Sequence, residues 1–182
     1  VDGDMITDCI NHYINSEVDY TNKVCLDLGG NVGGFTKIAI DRGAKEVYTV
    51  ECDARNYEKM VHSFKDEPKA NIIYGAVSGQ TCPTLRIFKS NSKQAHCSTS
   101  IIKRHRFSDY DEVTNLNIQD LLDKYKPDII KVDIEGAEYD IIEDIARYKP
   151  KVLFIEIHGG HEKAKNAIQR FENIYTNGKV HE

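Results

Sequence analysis

Three ionisable residues stand where apolar segments give way to polar ones: Asp133 in "IIKVDIEGAE", and Glu156 and His158 in "VLFIEIH". Glu156 and His158 alternate along an extended segment and therefore share a face. A carboxylate ending an apolar strand is partly desolvated and suited to take a proton or orient a partner. A histidine titrates near neutrality and suits general-base work. The chemistry on offer is proton removal from a weak nucleophile such as an alcohol, with Asp133 and His158 as acid–base pair and Glu156 orienting. The same three groups could instead converge on a divalent metal that holds an acceptor's hydroxyls. Their spacing is no recognised metal signature, so a metal cofactor is left open. Glu135 and Glu138, just downstream, either join this site or stabilise the positive end of the next helix.

A second constellation lies near the start. "KVCLDLGGNVGGFTKIAI" (23–40) runs from an apolar strand through a glycine turn into a helix. A triphosphate-binding loop needs a lysine where Phe35 stands. A dinucleotide turn needs a glycine where Asn31 stands, and that side chain would crowd a diphosphate. The dinucleotide reading is weakened but stays open beside a third, DxGxxxG, formed by Asp27, Gly29 and Gly33, which permits a tight turn around a cofactor with adenosyl and methionine parts. Glu51 ends the next apolar segment, 22 residues after Gly29, where an acid accepts both ribose hydroxyls. Asp27 would take the cofactor's ammonium directly or through water.

These residues need a scaffold that carries them on strand ends. Apolar residues at helical spacing from Met5 to Ile14 predict an amphipathic first helix. Strands are expected at 23–28, 46–52, 71–77, 128–134 and 151–157. Between them helices are expected after Gly33 (closed by Gly43), from the Asp53 cap to about Phe64, after Asn117, at 136–148 and near 161–173. Such alternation calls for a doubly wound, mostly parallel α/β sheet with helices on both faces. Residues 78 to about 115 are polar, carry short β-like pieces such as "TLRIF", and are long for a connection, which predicts a functional loop or lid. Within it, His96, Ser98 and Ser100 offer hydrogen bonds to a polyhydroxylated substrate, while Lys103, Arg104 and Arg106 read as a solvated patch.

With 182 residues there is room for one well-buried domain. The formal charge of −5 disfavours a nucleic-acid partner. No apolar run is long enough to span a membrane. The five cysteines include no CxxC pair, which suits a reducing, cytosolic setting. A start at Val1 rather than methionine points to a domain excised from a longer protein.

"VCLDLGGNVGGFT", "YTVECDARNYEKM", "GAVSG", "IIKVDIEGAEYDII" and "VLFIEIH", in this order, resemble the FkbM family of S-adenosylmethionine-dependent methyltransferases. The octapeptide "KVDIEGAE" (131–138) is the most specific piece. The resemblance implies a Rossmann-like class I methyltransferase fold and methylation of a hydroxyl oxygen on a sugar, glycan or polyketide-like molecule. It implies a cofactor site of Asp27, Gly29, Asn31, Gly33 and Phe35 along the turn, Glu51 and Cys52 at the ribose, Ala76 and Val77 beside the adenine, and Asp133 beside the methyl donor. His96, Ser98 and Glu135 become substrate contacts. Such folds finish with a C-terminal hairpin, for which only "NIYTNGKVHE" remains here, so either the edge is shortened or the chain stops inside it. Three other readings stay open: an RNA ribose 2′-O-methyltransferase using Lys37 with Asp133 and Glu156, a cofactor-binding module without catalysis, and an NAD-dependent enzyme, which Asn31 disfavours.

Overall fold

The computed structural model describes residues 17–89, 99–100, 109–158 and 161–177. In chain order these form β1 (Val24–Leu28), α1 (Gly34–Asp41), β2 (Glu46–Glu51), α2 (Ala54–Ser63), β3 (Ala70–Tyr74), β4 (Ala76–Ser78) and β5 (Thr84–Lys89). There follow β6 (Thr99–Ser100), β7 (Asp109–Asn117), α3 (Ile118–Tyr125), β8 (Ile129–Val132), α4 (Glu138–Tyr148), β9 (Val152–Ile155) and α5 (His161–Asn177).

A parallel five-stranded sheet has the order β3-β2-β1-β8-β9, reversing direction of growth at β1. Alternation along its central strands sends side chains to two faces. Leu26, Leu28, Val50, Ile130 and Val132 point to the face covered by α3 and α4, meeting Leu121, Ile141 and Ile145. Cys25, Val47 and Ile129 point to the opposite face, where Phe35, Ile38 and Ala39 of α1 cover them. Helices thus cover both faces, as the sequence pattern requires. Asp53 caps α2 by accepting from the Arg55 and Asn56 amides, and Asn117 caps α3 through the Gln119 amide. At the far edge, α5 packs on α4, and Arg170 bonds Glu143 between them.

Two expectations change. The apolar run 71–77 is not one strand. It breaks at Gly75, whose N–H donates to the Glu51 carbonyl at 3.0 Å, and the chain then leaves for a second sheet. The polar stretch 78–115 is likewise not a loop throughout. β5 and β7 pair antiparallel from Thr84↔Thr114 to Lys89↔Asp109, in a sheet of order β4-β7-β5-β6. Its small core needs only Leu85, Ile87, Val113 and Ala76, too few apolar positions to mark the strands plainly. Asn115 ties the intervening turn: its Nδ2 donates to the carbonyls of Gln80 (2.8 Å) and Cys82 (2.9 Å), and its Oδ1 accepts from Ser78 Oγ at 3.0 Å.

The expected helix at Met5–Ile14, and His96, Ser98, Lys103, Arg104 and Arg106, lie outside the described residues. Ser100 belongs to β6. Among the described residues the parallel sheet ends at β9 without a further hairpin.

Candidate active site

The carboxyl ends of β1, β2, β8 and β9 enclose a cleft of about 850 Å³, its open mouth included. Open α/β sheets place ligands at this switch point.

One end is built mostly from backbone. Gly29 and Gly30 both donate to the Val50 carbonyl at 3.0 Å. Gly29 has φ +85°, and a Cβ there would lie 1.8 Å from the carbonyl oxygen of Asp133. The turn therefore presses on the end of β8, which only glycine allows. Gly33 opens α1 at φ +88°, where a Cβ would meet Phe64 at 2.4 Å. Asn31, at φ +52°, donates its N–H to Glu51 Oε2 at 2.7 Å, and the Asp53 N–H reaches Glu51 Oε1 at 2.6 Å. Glu51 is thus fixed by two amides while only 5% exposed. Burial pushes its pKa up to about 7, against the pull of those amides. Each oxygen keeps a lone pair for a further donor. Gly29, Asn31, Glu51, Cys52, Ala76 and Val77, all expected at the cofactor, line the cleft.

Asp27 and Phe35 are placed elsewhere. Phe35 packs edge-on against the rings of Tyr20 and Phe154, at centroid distances of 6.2 and 6.0 Å. Asp27 is fully buried under the turn, in register between Thr49 of β2 and Lys131 of β8. It accepts from Thr36 Oγ1 at 3.1 Å and sits 3.3 Å from Lys131 Nζ. Burial still raises its carboxyl above the usual range, opposed chiefly by Lys131. Gly33 also stands off the cleft, shaping the turn from behind.

Lys131 escaped the sequence reading. Its Nζ, nearly buried, donates to the Gly29 carbonyl at 2.5 Å and lies 3.7 Å from Asp133 Oδ2. One ammonium therefore touches the core acid, the glycine turn and the strand-end acid. The signal was a lysine inside the apolar run "DIIKVDI", where a buried cation demands a buried partner.

The other end of the cleft is built from charged side chains. Asp133, Glu135, Glu156 and His158 all line it. Ladder bonds extend past the strand ends to place two of them: Asp133 N–H donates to the Leu28 carbonyl, and Glu156 N–H to the Val132 carbonyl, each at 2.9 Å. His158 Nδ1 is 2.8 Å from Oε1 of the fully buried Glu138. Glu138 Oε2 accepts from the Gly136 N–H at 2.9 Å, and Tyr139 Oη donates to the His158 carbonyl at 2.7 Å. The start of α4 therefore grips both ring and backbone of His158. Its Nε2 faces Glu156 at 3.4 Å, Glu135 at 3.7 Å and Asp133 at 4.0 Å. The Glu138 bond, then the charges of Glu135, Glu138 and Asp133, push its pKa up to about 9, against burial. An imidazole that keeps its proton at neutral pH balances charge and orients, while a neighbouring carboxylate is better placed to accept a proton. Asp133, Glu156 and His158 offer ligand atoms within 4.8 Å of one another. Lys37 is exposed and pairs with Asp41 at 2.7 Å, away from these groups.

The FkbM methyltransferase domain model matches residues 27–177. The chain belongs to the FkbM methyltransferase family. An FkbM methyltransferase structure from Methylobacillus flagellatus superposes on 90% of this chain with a TM-score of 0.59 at 17% identity, covering 40% of that chain. Fibrillarin from Aeropyrum pernix, solved with S-adenosyl-L-methionine bound, matches over 95% of this chain and 64% of its own, with a TM-score of 0.50 and 13% identity. These likenesses establish a shared fold. A histone-arginine methyltransferase from Culex quinquefasciatus is 33% identical over 75 residues, 40% of this chain and 12% of that protein. The chain thus spans well under half of the FkbM structure and a small part of that curated relative. No helix among the described residues is long and apolar enough to cross a membrane.

Proposed function

We propose that the cleft binds S-adenosylmethionine and that the protein transfers its methyl group to a hydroxyl oxygen of a sugar, glycan or polyketide-like acceptor. The observation that carries this reading is that one cleft holds amide-fixed Glu51 at one end and Asp133, Glu156 and His158 at the other, with the glycine turn between. Glu51 receives the ribose hydroxyls. Val77, Ala76 and Ile87 supply the apolar wall for the adenine. The missing diphosphate cradle and the position of Glu51 disfavour NADP, whose 2′-phosphate the carboxylate repels.

In the transfer, an acceptor oxygen attacks the methyl carbon from behind, the carbon–sulfur bond breaks, and S-adenosylhomocysteine leaves. The hydroxyl proton passes to Asp133, with Glu156 and protonated His158 orienting the acceptor. Positioning of this kind removes about 7–11 kcal/mol of barrier. A net-acidic acceptor end repels phosphate esters, which supports neutral polyols over nucleic acid.

Calorimetric titration with S-adenosylhomocysteine, NAD and ATP tests the cofactor assignment. Binding of S-adenosylhomocysteine alone, weakened in Glu51→Ala, is expected. Binding of NAD or ATP in its place would overturn it. A panel of sugar and polyketide acceptors with labelled cofactor then tests the oxygen assignment.

A further inference from the structure

His158 Nε2 makes no hydrogen bond among the described residues, although three acids surround it. Its ring has no freedom to turn toward them, because Glu138 holds Nδ1 and Tyr139 holds the carbonyl. At 3.4 Å and 4.0 Å, Glu156 and Asp133 stand outside ordinary hydrogen-bond distance for N–H···O. These separations fall within the span that ligand atoms on one ion can take. Two atoms each about 2.1 Å from one ion lie about 3.0 Å apart when adjacent and about 4.2 Å apart when opposite. A buried carboxylate on Nδ1 with Nε2 presented outward is also how metal-ligating histidines are held.

We propose that Asp133, Glu156 and His158 Nε2 form a site for a hard divalent cation of the Mg²⁺ or Mn²⁺ type at the acceptor end of the cleft. Two carboxylates with one imidazole favour these ions over soft-ligand metals. The ion displaces the Nε2 proton on binding and takes over from protonated His158 the task of orienting the acceptor, while Asp133 ligates through one oxygen and keeps the other to receive the hydroxyl proton. Three protein ligands leave open positions on an octahedral ion, which suits an acceptor with two neighbouring oxygens, such as a vicinal diol. This inference rests on reading that end of the cleft as the acceptor site.

The test is titration of the protein with Mn²⁺, following the free ion by its electron paramagnetic resonance signal, with no acceptor present. One bound ion per chain is expected, with binding weakened at least about tenfold in Glu156→Gln and abolished in Asp133→Asn. Glu156 is 67% exposed, so its substitution leaves folding intact. Absence of binding up to about 1 mM Mn²⁺, the weak end for protein cation sites, would overturn the proposal, as would binding indifferent to both substitutions. Glu51→Ala should bind Mn²⁺ like the wild type. Failure of S-adenosylhomocysteine binding would count against the cofactor assignment alone, because the ion is scored without cofactor.

Discussion

The two ends of the cleft are made differently. The end proposed for the cofactor is backbone held by backbone: glycines at positive φ, paired amides on the Val50 carbonyl, and Glu51 pinned by two N–H groups. The end proposed for the acceptor is side chain held by side chain: His158 gripped by Glu138, with Asp133, Glu135 and Glu156 around it. A backbone-built end tolerates few substitutions and suits a constant ligand. A side-chain-built end can be altered without disturbing the sheet. Lys131 is where the two meet, since its ammonium touches Gly29 on one side and approaches Asp133 on the other.

Gly29→Ala should break the contrast most severely. A methyl group 1.8 Å from the Asp133 carbonyl, at φ +85°, forces β1 and β8 apart and adds left-handed strain, costing about 4 kcal/mol in urea unfolding. Both ends should fail together. Lys131→Met should cost about 3 kcal/mol, the low end for a broken buried pair, because Asp27 can take up a proton once its partner is gone. The double variant with Asp27→Asn should recover part of that loss in a denaturation cycle. Full additivity would mean the two groups do not interact.

Glu51→Gln should act on the cofactor end alone, lowering S-adenosylhomocysteine affinity about tenfold to a hundredfold, as expected for losing hydrogen bonds to a charged acceptor. Its pH dependence sharpens the point. With a folded pKa of about 7 against 4.5 for the free group, the folded chain holds the Glu51 proton more tightly. This group's contribution therefore favours folding below about pH 4.5 and is lost as pH rises through 7. Ribose hydroxyls donate to the ionised form, so wild-type affinity should rise between pH 6 and 8, while Glu51→Gln should stay flat by calorimetry. Glu156→Gln should have the smallest structural effect, within about 0.5 kcal/mol for an exposed position. Methyl transfer should nonetheless fall about tenfold with cofactor affinity unchanged. A matching loss of affinity would show that the two ends are not separable.

The strand–helix order was legible because buried parallel strands read as apolar runs, and because Asp53 and Asn117 announce their helices by capping. The place of Glu51 followed from one turn and one strand, both local in the chain. The second sheet was legible only in the β-like "TLRIF" of β5. β7, "DYDEVTNLN", carries few apolar residues, and Val113 is its one contribution to the small core beneath it. The split at Gly75 was hidden for a related reason, since one apolar run serves two sheets.

By itself, the sequence determined the alternating sheet, the glycine turn without a diphosphate cradle, and the family to which the chain belongs. Only the tertiary structure decided which charges meet. Asp27 and Lys131 are 104 residues apart and become neighbours through the parallel register of β1 and β8. Glu138 and His158 meet because α4 returns its first turn to the end of β9. Local preferences depend on neighbours in sequence and can be read there. Lateral register and helix docking depend on burying whole faces at once, so the partners of a buried charge emerge only when the sheet is assembled.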